Sequence, residues 1–79
     1  MFVYILYSKK SSRYYVGQTT DIIKRLERHN KGIVPSTKHG VPWELVLQVE
    51  VSNRSEAIQL ERKIKKQGAK RYLDNHFGV

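Results

Sequence analysis

The segments FVYILY (residues 2–7) and RYYVGQT (residues 13–19) decide the fold of this chain. Both are rich in aromatic and β-branched residues, which favour the pleated surface of a sheet. The polar stretch SKKSS between them is typical of a turn, so the two runs most simply form an antiparallel hairpin. Tyr4 and Tyr15 occupy corresponding places in the two runs. Gly17 indicates a bulge or a close approach of the backbone just after the second tyrosine.

The 79-residue chain, which we take as one domain over residues 1–79, carries a large positive charge. Fifteen Lys and Arg against seven Asp and Glu give a formal net charge of +8. Such a surplus attracts polyanions, so nucleic acid is the expected partner, with DNA as the first candidate. There are two alternatives. One is a basic surface that serves only solubility, and the other is a protein partner in place of nucleic acid.

The composition also argues against several other classes of protein. The chain has no cysteine, so neither a disulfide nor a thiolate metal site can supplement its thin core. No apolar run approaches the ~18 residues that a membrane span requires. We also expect no cleavable leader before the first strand. We expect a cytoplasmic protein without membrane association that is a monomer or a weak homodimer.

Helical periodicity follows the hairpin. Ile22, Ile23 and Leu26 form one apolar stripe and predict a helix from about residue 21 to residue 30. A threonine is expected to cap this helix, with Asp21 in its first turn.

The second half predicts a strand and two more helices. After a loop over residues 31–42, alternating apolar positions over residues 43–51 predict a third strand with mainly one face buried. A capping sequence at residues 52–56 begins a second helix, which ends at Gly68. A short helix follows over residues 69–75. The order β-β-α-β-α-α predicts the α+β class, with a small three-stranded antiparallel sheet flanked by helices.

Four side chains invite a chemical explanation beside an ordinary one. Arg25 and His29, one helical turn apart, border the apolar stripe, as a snorkelling arginine and a half-buried histidine would. Tyr4 and Tyr15 suit a sheet; a phenol with a pKa near 10 needs a lowered pKa or a proton relay to act as a base.

Glu61 lies among the apolar positions of the second helix, where a carboxylate needs a partner. Two explanations are open. One is an ion pair with Lys65 at i+4. The other is ligation of a hard divalent cation, which prefers oxygen ligands and often takes only one or two carboxylates plus water.

The order and spacing of Tyr4, Tyr15, Arg25, His29 and Glu61 along the chain resemble the GIY-YIG nuclease superfamily. The resemblance is greatest to its small stand-alone bacterial members of the UPF0213 type. The two motifs correspond to residues 2–4 (FVY) and 15–17 (YVG), and the resemblance spans essentially the whole chain. Phe2 replaces the leading glycine of the first motif. The family's later site residues fall on Arg25, His29, Glu61 and Asn75.

The resemblance implies a metal-dependent endonuclease that hydrolyses phosphodiester bonds. Tyr4 or Tyr15, relayed through His29, would deprotonate the attacking water. Arg25 would stabilise the charge that develops on the phosphoryl oxygens. Glu61 would hold one divalent ion, Mg²⁺ or Mn²⁺.

The resemblance also bears on substrate. We expect Asn75 to orient a tyrosine or a backbone phosphate, and structured or branched DNA to be cut. The alternative is a nucleic-acid-binding module with the nuclease fold and little or no unaided cleavage. A role in DNA repair follows only by analogy. Further candidates for phosphate contacts are Ser12, Arg13, Lys24, Arg28, Lys38, Lys65 and Lys66.

Overall fold

The computed structural model describes residues 1–77, and its elements follow the predicted order. They are β1 (Phe2–Ser8), β2 (Arg13–Thr19), α1 (Ile22–Asn30), a 3₁₀ turn (Lys38–Gly40), β3 (Glu44–Glu50), α2 (Arg54–Gln67) and α3 (Ala69–His76). This arrangement confirms the predicted α+β class with a three-stranded antiparallel sheet.

The strand β1 lies in the centre of the sheet, with β2 and β3 at the two edges. Both neighbours pair with it in antiparallel orientation. In the β1–β2 ladder Tyr4 lies opposite Gly17, and Leu6 lies opposite Tyr15. Tyr4 and Tyr15 therefore project from the same face of the sheet, as diagonal neighbours on adjacent strands.

Helices and loop segments cover both faces of the sheet. The buried residues between the sheet and the helices α2 and α3 are Val3, Ile5, Val16, Ala57, Ile64 and Tyr72. On the opposite face, Tyr4, Leu6 and Trp43 are buried, with Ile22, Leu26 and Leu45 packed against them. The hairpin thus contributes to two separate apolar layers.

Burial along β3 alternates as predicted, but a β-bulge moves Leu45 to the opposite face from Leu47. Ile5 pairs with Leu47 and Leu6 pairs with Leu45, so Val46 has no counterpart in the ladder. The extra residue places Leu45 in the α1 layer and Leu47 in the α2 layer. Alternation alone could not reveal this change of face.

The start of α1 differs from the prediction. Asp21 is the N-cap, and its carboxylate accepts a hydrogen bond from the Lys24 backbone N–H at 3.0 Å. The Thr19 hydroxyl instead accepts from the Asp21 N–H at 3.1 Å. Ile23 is 72% exposed, so it is not part of the apolar stripe. His29 is the buried residue of this helix.

The capping of α2 agrees with its sequence signal. The Asn53 side chain accepts from the Glu56 N–H at 2.9 Å, and the Glu56 carboxylate accepts from the Ser52 N–H at 2.8 Å. Gly68, with φ of 94°, separates α2 from α3. Among residues 1–77, no helix is long and apolar enough to cross a membrane.

Replacement of Ile64 by alanine should destabilise the fold. Ile64 is fully buried in α2, so its truncation leaves a cavity and should lower the free energy of unfolding by about 2–5 kcal/mol. The matched control is Ile58→Ala in the same helix, where the side chain is 39% exposed; a loss below about 1 kcal/mol is expected. Urea unfolding followed by circular dichroism measures both. Equal losses would contradict the packing described for α2.

Candidate active site

The ring of Tyr4 lies across the edge strand β2, where Gly17 makes room for it. A Cβ atom added to Gly17 would lie 2.6 Å from the Tyr4 hydroxyl oxygen and 2.8 Å from Cζ. Only a glycine leaves this space without displacing the ring. The predicted close approach of the chain at Gly17 is confirmed, and Tyr4 is only 2% exposed as a result of its packing there and in the α1 layer.

His29 connects α1 to the tyrosine. Its Nε2 atom lies 3.1 Å from the Tyr4 hydroxyl oxygen, and its Nδ1 atom lies 2.8 Å from Thr37 Oγ1. The Thr37 hydroxyl is within 3.5 Å of the Val34 carbonyl oxygen, to which it donates. We therefore assign Nδ1–H as the donor to Thr37, which leaves Nε2 as the acceptor for the Tyr4 O–H.

The expectation of a half-buried His29 was wrong, because the loop that follows α1 covers the ring. His29 is 1% exposed and Thr37 is equally buried. The loop is held in place by Trp43, whose indole N–H donates to the Thr37 carbonyl at 2.7 Å. Asn30 accepts from the Trp43 backbone N–H at 2.6 Å and donates to its carbonyl at 3.2 Å.

Sequence reasoning missed Thr37, Asn30 and Trp43 as supports of the site. A single threonine in a loop carries no periodic signal. Asn30 lies at the predicted end of α1, where an asparagine gives no sign of a contact with a later loop. Their role depends on how the loop folds back onto α1, which no local pattern encodes.

The electrostatic environment keeps both partners of the Tyr4–His29 hydrogen bond neutral. Burial, together with the nearby Tyr15, raises the pKa of Tyr4 to about 12, while the Arg25 charge acts in the opposite direction. Burial lowers the pKa of His29, and the charges of Arg25 and Arg28 lower it further. A neutral phenol thus donates to a neutral imidazole, which is the arrangement that a proton relay requires.

Tyr15 lies beside this pair and is half-buried against it. Its ring centroid is 4.9 Å from that of His29 and 6.3 Å from that of Tyr4. Tyr15 lines two open clefts. One, of about 890 Å³, is bordered by β2, the end of α2 and α3, and its lining includes Tyr14, Lys65, Lys70, Arg71 and Asn75. The other, of about 410 Å³, is lined by residues that include Arg13, His39 and Trp43.

Glu61 lies on the side of β2 that faces α2, and its side chain is 18% exposed. Its Oε1 atom accepts from the Gln18 amide at 3.2 Å, and its Oε2 atom accepts from Lys65 Nζ at 2.7 Å. The expected ion pair with Lys65 is therefore present. The Glu61 charge also helps to raise the pKa of Tyr4, so the carboxylate acts on the same phenol as Arg25.

The donor atoms around Glu61 suit a hard cation. Within residues 1–77, no group of three or more His, Asp or Glu side chains is placed to bind a metal ion. An ion at Glu61 would therefore have fewer than three such side chains as ligands, which is common for Mg²⁺ because this ion keeps several of its waters. The amide oxygen of Gln18 is also buried beside this carboxylate, without a hydrogen-bond partner among the described residues.

The remaining predicted residues lie around these groups. Arg25 is half-buried on α1, and Asn75 is exposed in the larger cleft with Tyr15. Of the candidate phosphate contacts, Arg13 and Lys65 line the two clefts. The others are exposed elsewhere on the surface, and they are Ser12, Lys24, Arg28, Lys38 and Lys66. The structure adds Lys70 and Arg71, which the sequence pattern did not single out.

Comparison with known families agrees with this geometry. The family model described as the GIY-YIG catalytic domain matches residues 1–74. The chain belongs to the GIY-YIG family. In this chain, the two motifs of the family correspond to the strand segments that carry Tyr4 and Tyr15.

Two sequence relatives and one solved structure are similar to this GIY-YIG chain. A UPF0213 protein of Listeria monocytogenes serotype 4b is 39% identical over 66 residues, which cover 82% of this chain and 73% of that protein. The structure-specific endonuclease subunit slx1 of Talaromyces marneffei is 40% identical over 65 residues, covering 73% of this chain but 17% of that subunit. The solution NMR structure of a UPF0213 protein from Bacillus halodurans has a TM-score of 0.59 and 30% identity, covering 98% of this chain and 84% of that one.

Gly17→Ala should strain the packing of Tyr4. The added methyl group meets the phenol at 2.6 Å, and we expect a loss of about 1–3 kcal/mol in the free energy of unfolding. Tyr4→Phe removes the closest atom, so the same change should cost less in the Tyr4→Phe background, with a coupling energy above about 0.5 kcal/mol. A double-mutant cycle by chemical denaturation measures this coupling. Additive losses would contradict the close approach.

Stability should fall as the pH is lowered through the range in which His29 titrates. Because the pKa of His29 in the folded state lies below its ordinary value of 6.5, the unfolded chain binds the proton first. Above about pH 7 there is no penalty. Urea midpoints measured from pH 7.5 to 5 should therefore decline more steeply for the wild type than for His29→Gln. The exposed His39 supplies the control: His39→Gln should keep the wild-type slope. Parallel slopes for wild type and His29→Gln would show that burial of His29 has no such effect.

Proposed function

We propose that this GIY-YIG protein is a divalent-metal-dependent endonuclease that hydrolyses phosphodiester bonds in structured or branched DNA. The observation that carries the proposal is the hydrogen-bonded chain from Tyr4 through His29 to Thr37. This chain lies beside Tyr15, where two clefts with basic linings meet. A buried proton acceptor and an open polyanion-binding surface thus adjoin each other.

Tyr4 and His29 form the proton path of the proposed reaction. The attacking water forms the new P–O bond and gives one proton to the Tyr4 oxygen. Tyr4 passes its own proton to His29 Nε2, while the bond from phosphorus to the leaving oxygen breaks. His29 becomes an imidazolium whose Nδ1–H remains bonded to Thr37. The leaving oxygen takes a proton from solvent, so water and the phosphodiester yield a phosphomonoester and a hydroxyl group.

The relay explains why a tyrosine with a pKa of about 12 can serve as the base. A free phenolate would be scarce at pH 7, but transfer to His29 avoids it. The lowered pKa of His29 keeps its Nε2 atom unprotonated before the reaction. Afterwards, the charges of Arg25 and Arg28 favour loss of the added proton, which resets the site.

Arg25 and Glu61 provide the electrostatic part of the site. The half-buried guanidinium of Arg25 would stabilise the negative charge that develops on the phosphoryl oxygens. Glu61, near enough to influence the Tyr4 phenol, would hold the divalent ion. When bound, Mg²⁺ or Mn²⁺ supplies a Lewis acid that stabilises the charge on the leaving oxygen.

The substrate is inferred from the clefts. Tyr15 and the exposed Tyr14 offer aromatic faces to unpaired bases, and Lys70 and Arg71 offer positive charge to the backbone. Asn75 lines the same cleft and would contact a phosphate. The likeness to a structure-specific endonuclease subunit also supports branched DNA. Because the chain covers 17% of that relative, the substrate of the whole subunit is carried over only as a proposal.

Cleavage of labelled flap, fork and duplex DNA, with the matching RNA substrates, tests the proposal in Mg²⁺ and in Mn²⁺. Flap and fork DNA should be cut most rapidly by the wild type, and chelation with EDTA should stop the reaction. Arg25→Ala and Glu61→Ala should each lower the cleavage rate by at least about 100-fold, because each removes stabilisation of transition-state charge.

Matched controls separate local chemistry from net charge. Arg54→Ala and Glu50→Gln change the same kinds of charge at exposed positions away from the clefts, and they should retain wild-type rates. Wild-type protein that binds these DNAs but cleaves none of them in either metal would overturn the endonuclease proposal. That result would favour the alternative of a nucleic-acid-binding module.

A further inference from the structure

We propose that the cleft of about 410 Å³ at Tyr15 binds a backbone phosphate of the nucleic acid strand, beside the phosphate that is cleaved. We name it the Arg13 cleft after its cationic side chain, and its lining also includes Ser11, Ser36 and His39. This inference deepens the proposed function and rests on it for the position of the cleaved phosphate. It implies that the cleaved strand crosses Tyr15, with one flank in each of the two clefts that this tyrosine lines.

The lining of the Arg13 cleft suits an anion. Its polar side chains come from the hairpin turn and from the loop before β3. None of the described residues that line this cleft carries a carboxylate. The larger cleft at Tyr15 contains the carboxylate of Asp74, and a third cleft on α2 contains that of Glu61. Of these three clefts, the Arg13 cleft is therefore the one in which no fixed negative charge repels a phosphate.

The Arg13 cleft adjoins the candidate active site. Its lining includes Tyr15 and Trp43. The ring centroid of Tyr15 lies 4.9 Å from that of His29. The Trp43 indole N–H donates to the backbone carbonyl of Thr37, whose hydroxyl bonds to His29. Since Tyr15 also lines the larger cleft, a strand that passes over its ring reaches both clefts. A phosphate in the Arg13 cleft would then flank the phosphate at the proton relay.

Both walls of the Arg13 cleft are held by internal contacts. On one side, the Ser11 backbone N–H donates to the hydroxyl of the buried Ser8 at 3.1 Å, within the hairpin turn that precedes Arg13. On the other side, Gly40 packs so closely on the Trp43 indole that an added Cβ atom would lie 2.5 Å from Cζ2. Preformed walls lower the entropy lost on binding. The exposed Arg13 side chain is then the main group that a ligand must order.

The size of the cleft and the chemistry of arginine favour a phosphate ligand. The volume of about 410 Å³ falls within the ~300–1,000 Å³ of small-ligand sites, so a phosphate group fits with ordered water. The planar guanidinium can bond two phosphate oxygens at once, and serine hydroxyls also bond phosphate. Such contacts fix the register of a strand without reading its sequence. We therefore expect the cleft to accept any base sequence.

Binding of labelled flap DNA in EDTA, measured by fluorescence anisotropy, tests the role of the cleft without cleavage. Arg13→Ala should weaken binding about 10-fold and lower the slope of log Kd against log salt by about 1, because one phosphate contact is lost. Arg13→Lys keeps the charge and should retain most of that slope. Arg54→Ala, an exposed change on α2 outside the three clefts, is the matched control and should leave affinity and slope unchanged.

Trp43 is the single tryptophan of the chain, so its fluorescence reports on occupancy of the cleft. Flap DNA should change this fluorescence in the wild type and change it less in Arg13→Ala. DNA that binds by anisotropy without any change in Trp43 fluorescence would overturn the inference. A fluorescence change caused by inorganic phosphate but not by flap DNA would also overturn it, because the cleft would then bind free phosphate.

Replacement of single backbone phosphates by uncharged methylphosphonates locates the contact. One position near the flap junction should weaken binding of the wild type, and at that position Arg13→Ala should cause little further loss. If the two losses add fully at every position, Arg13 contacts no particular phosphate, and the inference is wrong.

These outcomes are distinct from those that test the proposed function, because no cleavage is measured. If Arg13→Ala binds DNA as the wild type does, and the wild type cleaves flap DNA, the endonuclease proposal stands and the Arg13 cleft is not a phosphate site. If the wild type shows the Arg13-dependent contact but cleaves no DNA in either metal, the endonuclease proposal fails. The phosphate site then stands as part of a nucleic-acid-binding module.

Discussion

The hydrogen bond between Tyr4 and His29 is the contact on which the rest of the candidate site depends. It joins the central strand of the sheet to the first helix, and it requires space that Gly17 leaves on the edge strand. Thr37 holds the far side of the imidazole and thereby selects the nitrogen that faces Tyr4. The loop, the helix and the hairpin are positioned around this one contact, so its geometry limits every step of the proposed chemistry.

Burial gives this hydrogen bond its chemical character. It raises the pKa of the phenol and lowers the pKa of the imidazole, so both groups are neutral. The charged groups of the site, Arg25 and Glu61, shift the pKa of the phenol in opposite directions. The surplus of positive charge lies outside, where Lys70 and Arg71 line a cleft. A neutral relay and a cationic substrate surface thus occupy adjacent but separate regions.

Much of the fold and some of the site could be predicted from the sequence, because both depend on periodicity. The hairpin, the order of elements and the inward position of Glu61 follow from patterns within single strands and helices. The bulge at Val46 could not be predicted, since an extra residue in a ladder is defined by the partner strand. Nor could the burial of His29 beneath Thr37, because the covering loop lies outside the helix that carries the histidine. Local sequence signals predict single helices and strands, whereas the site arises from contacts between them.

The most direct test of the proton relay is the dependence of the single-turnover cleavage rate on pH, measured for wild type and Tyr4→Phe with a flap substrate in Mn²⁺. The account predicts a wild-type rate that rises with pH through a value below 6.5, as His29 loses its proton. Tyr4→Phe should cleave at least about 100-fold more slowly, without this rise. A Tyr4→Phe variant that cleaves at the wild-type rate with the same pH dependence would contradict the relay.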